Sequence, residues 1–402
     1  MSRDVGVAAA QLGNALALQS KLPDVGTTIF TVMSTLAAQE GALNLSQGFP
    51  DFDGPKALLD RVQYYLTHGH NQYAPMTGVA SLRAAIAQKV ADLYGLQVDA
   101  NTEVTVTSGA TEALFCAISA VVRPGDEVVL FDPAYDSYAP VVALCGGVTR
   151  HVPMTGPNFQ IDWDRVADVL TDRTRLIITN SPHNPTGSVW SEADIEALRQ
   201  LISERPIFVV ADEVYEHIHF NGKPHLSLCR YPDLWARSFV VSSFGKTYHT
   251  TGWKIGYCVA PAALSAELRK IHQFNTFTSI TPVQLALADY LRDYPEHHLG
   301  LAEFYAAKRD LFCSLVAPSR FSLQPAQGTY FQLLDYSALS QEHDVELAQR
   351  LTREAKLASI PISVFYAPDQ SARGVKEQRY LRFCFAKDDD TLARAAEILC
   401  AL

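Results

Sequence analysis

The chain is poor in cysteine, and the cysteines it has form no pattern that chemistry would use. Seven occur among 402 residues, at Cys116, Cys145, Cys229, Cys258, Cys313, Cys384 and Cys400, with no CxxC pair. Most lie in apolar surroundings such as Phe383-Cys384-Phe385. They read as buried, reduced thiols of a cytoplasmic protein, which excludes a disulfide frame. An excess of basic residues is also missing: 33 Lys and Arg face 43 Asp and Glu, a net charge of −10. With no strong basic patch to neutralise phosphates, a nucleic-acid partner is excluded, and docking on anionic membranes is disfavoured. No run approaches the ~20 apolar residues of a membrane span. The Ala/Leu-rich start, Met1–Ser20, is broken by Gln11, Gly13, Asn14 and Gln19, and Arg3 is followed by Asp4. It reads as a frayed extension or short helix and not as a secretory leader. Repeats and low-complexity segments are absent.

What is present is an ordinary globular balance, 48% hydrophobic and 19% charged, long enough for one large core and a smaller second domain. From about residue 104, short apolar runs alternate with helical periods. The runs are Val104–Thr107, Glu127–Phe131, Arg175–Thr179, Ile207–Ala211, Phe239–Ser242 and Ile255–Val259. Amphipathic segments such as Thr111–Val122, Trp163–Leu170 and Ser191–Ile202 separate them. Strands that are apolar throughout and alternate with helices predict an α/β domain with a mostly parallel sheet covered on both faces. Beyond residue 281 the pattern turns to long helices, Thr281–Leu291 and Leu299–Leu315. It then mixes strands (Thr329–Leu334, Tyr380–Phe385) with helices (Val345–Glu354, Thr391–Leu402). Asp388-Asp389-Asp390 is expected to cap the last helix. The predicted organisation is an extension over 1–20, an N-terminal arm and part of a small domain over 21–55, a large domain over 56–319, and a small α/β domain over 320–402.

Ligands of open α/β sheets bind beyond the carboxyl ends of the strands. Four polar groups fall there: Ser108-Gly109-Ala110-Thr111, Asn180–Gly187, Asp212–Tyr215 and Ser242–Lys246. Lys246 is the most informative. Most lysines are solvated surface groups, but one at the mouth of a buried strand supplies a desolvated amine that can form a Schiff base with a carbonyl, the bond on which pyridoxal phosphate chemistry begins. The Ser108–Thr111 segment joins a strand to a helix, where small residues and a helix N-terminus suit an anion as well as they suit a plain cap. Ser243, Lys246 and Lys254 add donors and positive charge. Asp212 is either a cap or a partner for a cationic pyridine nitrogen. Tyr215 has a phenol suited to a ring oxygen, and Asn184 is either a turn residue or a second donor to that oxygen. Arg382, flanked by core residues in a predicted strand, has a planar fork that suits a carboxylate.

Two other chemistries fail on spacing. Gly245-Lys246-Thr247 resembles the end of a nucleotide-binding loop, but the glycine required five residues earlier is Val240, and no GxGxxG follows a predicted strand. His68 and His70 have no carboxylate or cysteine cluster to complete a metal site and read as solvated histidines.

At these residues the chain resembles the fold type I pyridoxal-phosphate aminotransferases. The similarity lies in NLSQGFPDF (44–52), NQYAPMTG (71–78), TSGATEAL (107–114), FDPAYDSY (131–138), SPHNPTG (181–187), ADEVYEH (211–217), SSFGKTYHTTGWKIGY (242–257) and LRFCFAK (381–387). It covers nearly all of 21–402, and the GFPDF and SFGKTxxxTGWKIG wording is most similar to the methionine, glutamine and kynurenine aminotransferase group. The resemblance implies a cofactor, pyridoxal 5'-phosphate, and two substrates, an L-amino acid and a 2-oxo acid, used in ping-pong order. It implies Lys246 as the cofactor-bearing amine and proton shuttle, Asp212 as the partner of the pyridine nitrogen, and Asn184 and Tyr215 on the ring hydroxyl. Tyr135 would stack on the ring. Ser108, Gly109, Ala110, Thr111, Ser243 and Lys254 would surround the phosphate. Arg382 would clamp the substrate carboxylate with Asn184 and the backbone of Gly48. Tyr73 would reach the phosphate of a second subunit, so the resemblance implies a homodimer with shared sites. Phe277 and Thr278 would come from the partner, with Phe30, to line the side-chain pocket.

Two positions depart from the pattern. Lys254 stands where many relatives carry arginine, keeping the charge but losing bidentate geometry. Thr278 stands where kynurenine-selective relatives place histidine, which argues against a kynurenine preference. The rival activities are carbon–sulfur β-elimination on the same scaffold and a non-catalytic ligand sensor. The sensor reading lacks an attached DNA-binding domain, since Met1–Ser20 is too short for one.

Overall fold

The computed structural model describes residues 18–220, 222, 224–367 and 379–402. Most of the predicted extension, residues 1–17, lies outside the described residues. The strands are β1 (Leu43–Asn44), β2 (Val104–Thr107), β3 (Glu127–Asp132), β4 (Val148–Pro153), β5 (Thr174–Asn180), β6 (Phe208–Asp212), β7 (Ser238–Ser243), β8 (Gly256–Val259), β9 (Phe331–Asp335), β10 (Leu357–Ala358), β11 (Ile360–Pro361) and β12 (Tyr380–Cys384). Seven form one sheet in the order β2-β8-β7-β6-β5-β3-β4. Every neighbouring pair is parallel except those made by β8, which runs antiparallel to β2 and β7. The mostly parallel α/β prediction holds.

Alternate residues of the strands feed two apolar layers, because successive side chains point to opposite faces. Val128, Leu130, Ile178, Val210, Phe239 and Val241 pack on one face against the helix Gly109–Val121. Val129, Ile177, Val209, Val240 and Tyr257 face the larger core on the other side. Strand β4 was not predicted. It is the edge strand, and its Val148-Thr149-Arg150-His151 run is only half-buried and carries polar residues, so it lacks the unbroken apolar signature of its neighbours.

The C-terminal part carries a second, antiparallel sheet in the order β11-β12-β9. The N-terminal segment returns to this region: β1 pairs with β10 in parallel, and the helix Ile29–Glu40 packs on the helix Asp344–Glu354. At the last helix, Asp389–Cys400, Asp389 and Asp390 lie in the first turn, where their charge suits the helix dipole, but the expected side-chain cap needs correction. Asp388 occupies the N-cap position but makes no side-chain capping bond. Its backbone N–H donates to Asp51, while Asp389 accepts from Lys308, so these groups tie the helix start to neighbouring segments.

A buried ionic hub fixes the sheet edge beneath the polar segments. Lys89, from the helix Ala80–Tyr94, donates to Glu216 at 2.6 Å with both side chains buried. The hydroxyls of Ser242, Tyr94 and Tyr257 also donate to Glu216. Burial alone would raise the Glu216 carboxyl, but Lys89, His217 and the donated hydrogen bonds hold it well below the usual range. The hub joins the turn after β6 to the ends of β7 and β8, and Glu216 directly follows Tyr215.

Candidate active site

The four strand-end segments converge. Residues from all of them line one cavity of about 180 Å³, among them Gly109, Ala110, Thr111, Tyr135, Asn180, Asn184, Asp212, Tyr215, Ser243, Lys246 and Lys254. Strands β2, β5, β6 and β7 end at this edge, and antiparallel β8 begins there, with Gly256 opposite both Thr107 and Ser243. Gly256 has to be glycine: a Cβ would lie 2.6 Å from the Ala110 nitrogen and 2.7 Å from the Gly109 carbonyl carbon.

Lys246 sits in the single helical turn Phe244–Thr247 that follows β7. Its Nζ donates to the Tyr330 hydroxyl at 2.9 Å and to the Gly48 carbonyl at 3.2 Å. Burial lowers the amine from 10.5 to about 8; Arg382 and Lys254 push it the same way, and Cys384 and Asp212 oppose them. An amine that loses its proton near neutrality can act as nucleophile or base.

Asp212 ends β6 and is buried. Burial raises its carboxyl from 3.8 to about 6 against the Tyr138 hydrogen bond, the Val214 N–H and the charge of Lys246. The Tyr138 hydroxyl donates to Oδ2 at 2.6 Å, and Asn180 Nδ2 donates to the Asp212 carbonyl at 2.9 Å. Tyr215 is buried, edge-on to Tyr330 at 5.2 Å, and its phenol is pushed far up by burial. Tyr135 lines the cavity edge-on to Tyr138. Tyr138 and Asn180 hold Asp212 in place. The sequence reading placed Asn180 only at the start of the Asn180–Gly187 segment, with no role of its own, and passed over Tyr138, which starts the helix three residues after Tyr135.

The anion end is built on the helix Gly109–Val121. Gly109 has φ +73°, and a Cβ there would come within 3.3 Å of Lys254 Cε and Nζ, so the ammonium lies close over the backbone. The first N–H groups of a helix have no intrahelical partner, and with Ser243 and Lys254 they form a donor set for a phosphate-sized anion. Lys254 Nζ also reaches the Thr111 hydroxyl at 3.4 Å. The Ser108 N–H is already given to Glu112 at 2.6 Å, and the Ser108 side chain makes no cap, so this residue shapes the turn and offers no backbone donor.

At the other end Arg382, in β12, is almost fully buried. Nη1 donates to Asn184 at 2.6 Å and Nη2 to the Ser46 carbonyl at 2.9 Å, while Nε has no partner among the described residues. The guanidinium lies 3.8 Å over the Phe331 ring and 5.2 Å from that of Phe30. Burial lowers it to about 10. Asn184 is fixed in turn by its backbone N–H, which donates to Asn180. The Gly48 carbonyl faces Lys246 and Tyr330, where it accepts hydrogen bonds.

Tyr73, Phe277 and Thr278 do not line this cavity. Tyr73 is 86% exposed and packs edge-on against Phe277, which is itself exposed at φ +70°. Thr278 donates to the Pro75 carbonyl beside them. His68 and His70 are exposed, as expected. The seven cysteines are all free; Cys400 is exposed, against the expectation of burial, because it ends the last helix. Glu112, Cys116 and His272 cluster closely enough to suggest a metal, but His272 is already bonded through both nitrogens, to Glu112 and to the Met76 carbonyl. A larger cavity, about 840 Å³, shares Asn180 with the first and is lined by Trp190, His183 and Phe220. None of the residues predicted to react lines it; those that line a cavity line the smaller one.

Residues 40–399 match the family model for aminotransferase class I and II. The chain is similar to a methionine aminotransferase of Escherichia coli, 55% identical with 96% of this chain and 98% of that protein covered. It is also similar to a probable N-succinyldiaminopimelate aminotransferase of Mycobacterium tuberculosis, 39% identical over 95% of this chain and 98% of that one. A solved E. coli structure to which a methionine aminotransferase function was assigned superposes with a TM-score of 0.93 at 55% identity, covering 96% of this chain and 100% of that one. No helix among the described residues is long and apolar enough to cross a membrane. This chain belongs to the aminotransferase class I and II family.

Proposed function

We propose that this aminotransferase works with pyridoxal 5'-phosphate and takes methionine, glutamine or an aromatic L-amino acid as donor and a 2-oxo acid as acceptor. The observation that carries the cofactor is the convergence of Lys246, Asp212 and Lys254 on one cavity at the sheet edge. Lys246 and Lys254 line this cavity with Asp212, and Arg382 bonds Asn184 on its wall. A phosphate at one end and a substrate carboxylate at the other would balance these cations. Similarity to the E. coli methionine aminotransferase supports the donor class.

When bound, the cofactor supplies an aldehyde carbon and an electron sink. The helix N-terminus at Gly109–Ala110, Ser243 and Lys254 would bind its phosphate. Asp212, steadied by Tyr138, would set a carboxylate against the ring nitrogen and hold a proton there. Tyr215 and Asn184 would bond the ring hydroxyl, with Tyr135 on the ring face. The Arg382 fork would orient the substrate carboxylate, and Phe30 would line the side-chain pocket. Lys246 Nζ would take the donor's Cα proton and return it to the cofactor carbon, a positioned transfer typically worth ~10²–10⁴-fold in rate.

A homodimer completes this reading. Tyr73 and Phe274 are 86% and 85% exposed, and Phe277 and Ile280 lie exposed in the same chain region, an apolar set suited to a second copy. Tyr73 would reach the partner's phosphate, with Phe277 and Thr278 lining the partner's pocket. We further propose residues 56–319 as the large domain and 21–55 with 320–402 as the small one, because β1 pairs with β10.

Purified protein with cofactor is expected to convert methionine to its 2-oxo acid when an acceptor is present, and Lys246→Ala to lose turnover. A panel of amino donors and 2-oxo acids reads out both. Turnover by Lys246→Ala would sink the assignment, and failure of every apolar, amide and aromatic donor would sink the substrate class. In sedimentation the full chain should run at twice the single-chain mass, and the single-chain mass would remove the shared site. The raised Asp212 carboxyl makes its share of stability greatest below pH 3.8 and lost as the pH rises through about 6. In urea unfolding of the cofactor-free protein, the stability of wild type minus that of Asp212→Asn should therefore fall between pH 4 and 7. A difference that stays flat over that range would show that Asp212 ionises as it does in water.

A further inference from the structure

Tyr330 was absent from the predicted site, yet it touches the reacting nitrogen. It is fully buried and directly precedes β9. Its backbone is held at two points. The Phe385 N–H donates to its carbonyl at 2.9 Å, and the preceding Thr329, anchored to the Ile218 carbonyl at 2.8 Å, has φ +63°. A β-branched residue rarely adopts that conformation, so the strain must be outweighed by the contacts that fix this corner. The Tyr330 hydroxyl donates to the Gly48 carbonyl at 2.6 Å and accepts from Lys246 Nζ at 2.9 Å. A phenol has one proton and a carbonyl has none, so the direction of each bond is set.

A neutral amine has two N–H bonds and one lone pair. The two oxygens that face Lys246, Tyr330 Oη and Gly48 O, account for both hydrogens. Neither residue lines the cavity, whereas Lys246 does. The lone pair is therefore left on the cavity side. We propose that Tyr330 is a catalytic residue that orients the free amine of Lys246, holding its hydrogens with the Gly48 carbonyl so that the lone pair faces the substrate carbon. The inference rests on the reading of Lys246 as the proton-transferring amine. When the lone pair takes the Cα proton, the C–H electron pair stays with the substrate. The nitrogen becomes an ammonium with two hydrogens still held by Tyr330 and Gly48, and the third is the proton in transit. Loss of Tyr330's oxygen frees the amine to rotate. The other titratable groups facing Nζ are Asp212, Arg382, Lys254, Cys384 and Tyr215, and none of them holds it by a hydrogen bond of its own.

The test is Tyr330→Phe, which keeps the ring. Holoenzyme kinetics with ordinary and α-deuterated methionine should show kcat reduced by about tenfold to a hundredfold, the cost typical of a misplaced reacting group. KM should stay within about twofold, and the isotope effect should rise, because Arg382 still binds the donor while proton transfer slows. In the cofactor-free protein, the pH profile of Lys246 acylation by acetic anhydride, followed by peptide mapping, should move to lower pH, because the ammonium loses an acceptor. Should the variant fold poorly, 3-fluorotyrosine at position 330 keeps the packing, weakens the oxygen as an acceptor, and should move both readouts in the same direction by less. Unchanged kcat, isotope effect and acylation profile, with Lys246→Ala inactive, would overturn the role of Tyr330 alone. Turnover by Lys246→Ala would overturn the reading beneath it.

Discussion

The site depends on the cost of placing ionisable groups at the end of a buried sheet. Lys246, Asp212 and Arg382 are withdrawn from water, and each is displaced toward its neutral form by burial. Each is compensated by a different neighbour. Lys246 has Tyr330 and Gly48, Asp212 has Tyr138, and Arg382 has Asn184, Ser46 and the face of Phe331. The compensation is incomplete, because Arg382 Nε has no partner among the described residues. A site with cationic groups and incomplete pairing is suited to anionic ligands.

The scaffold supplies rigidity where those groups need it. The buried Lys89–Glu216 pair ties the turn carrying Tyr215 to the ends of β7 and β8. Removing one member of such a pair usually costs several kcal/mol, because the other charge is left unpaired. Of the six described non-glycine residues with positive φ, Lys254, Phe277 and Thr329 lie at the site or in the exposed set beside it.

Much of this was legible in the sequence. The buried strands of a parallel sheet read as unbroken apolar runs, so six of the seven large-sheet strands, β2, β3, β5, β6, β7 and β8, were matched outright or bounded within one residue at each end. Strand β4 was lost because an edge strand carries polar residues. Lys246, Asp212, Asn184 and Arg382 stood out because a polar group beside an apolar run is costly. The supporting residues did not stand out. Tyr138 and Tyr330 are aromatic residues in apolar or loop surroundings, where packing is the ordinary reading, and only the folded chain brings their hydroxyls to Asp212 and Lys246. The backbone N–H of Ser108 goes to Glu112, a partner four residues away that the local pattern did not reveal, which leaves its hydroxyl as the group it could offer.

The proposed chemistry requires that Lys246, and no other lysine, bears the cofactor. Protein reconstituted with pyridoxal 5'-phosphate, reduced with borohydride and mapped by peptide mass, should carry the added group on the peptide containing Lys246. Attachment to Lys254, or to no lysine at all, would contradict it.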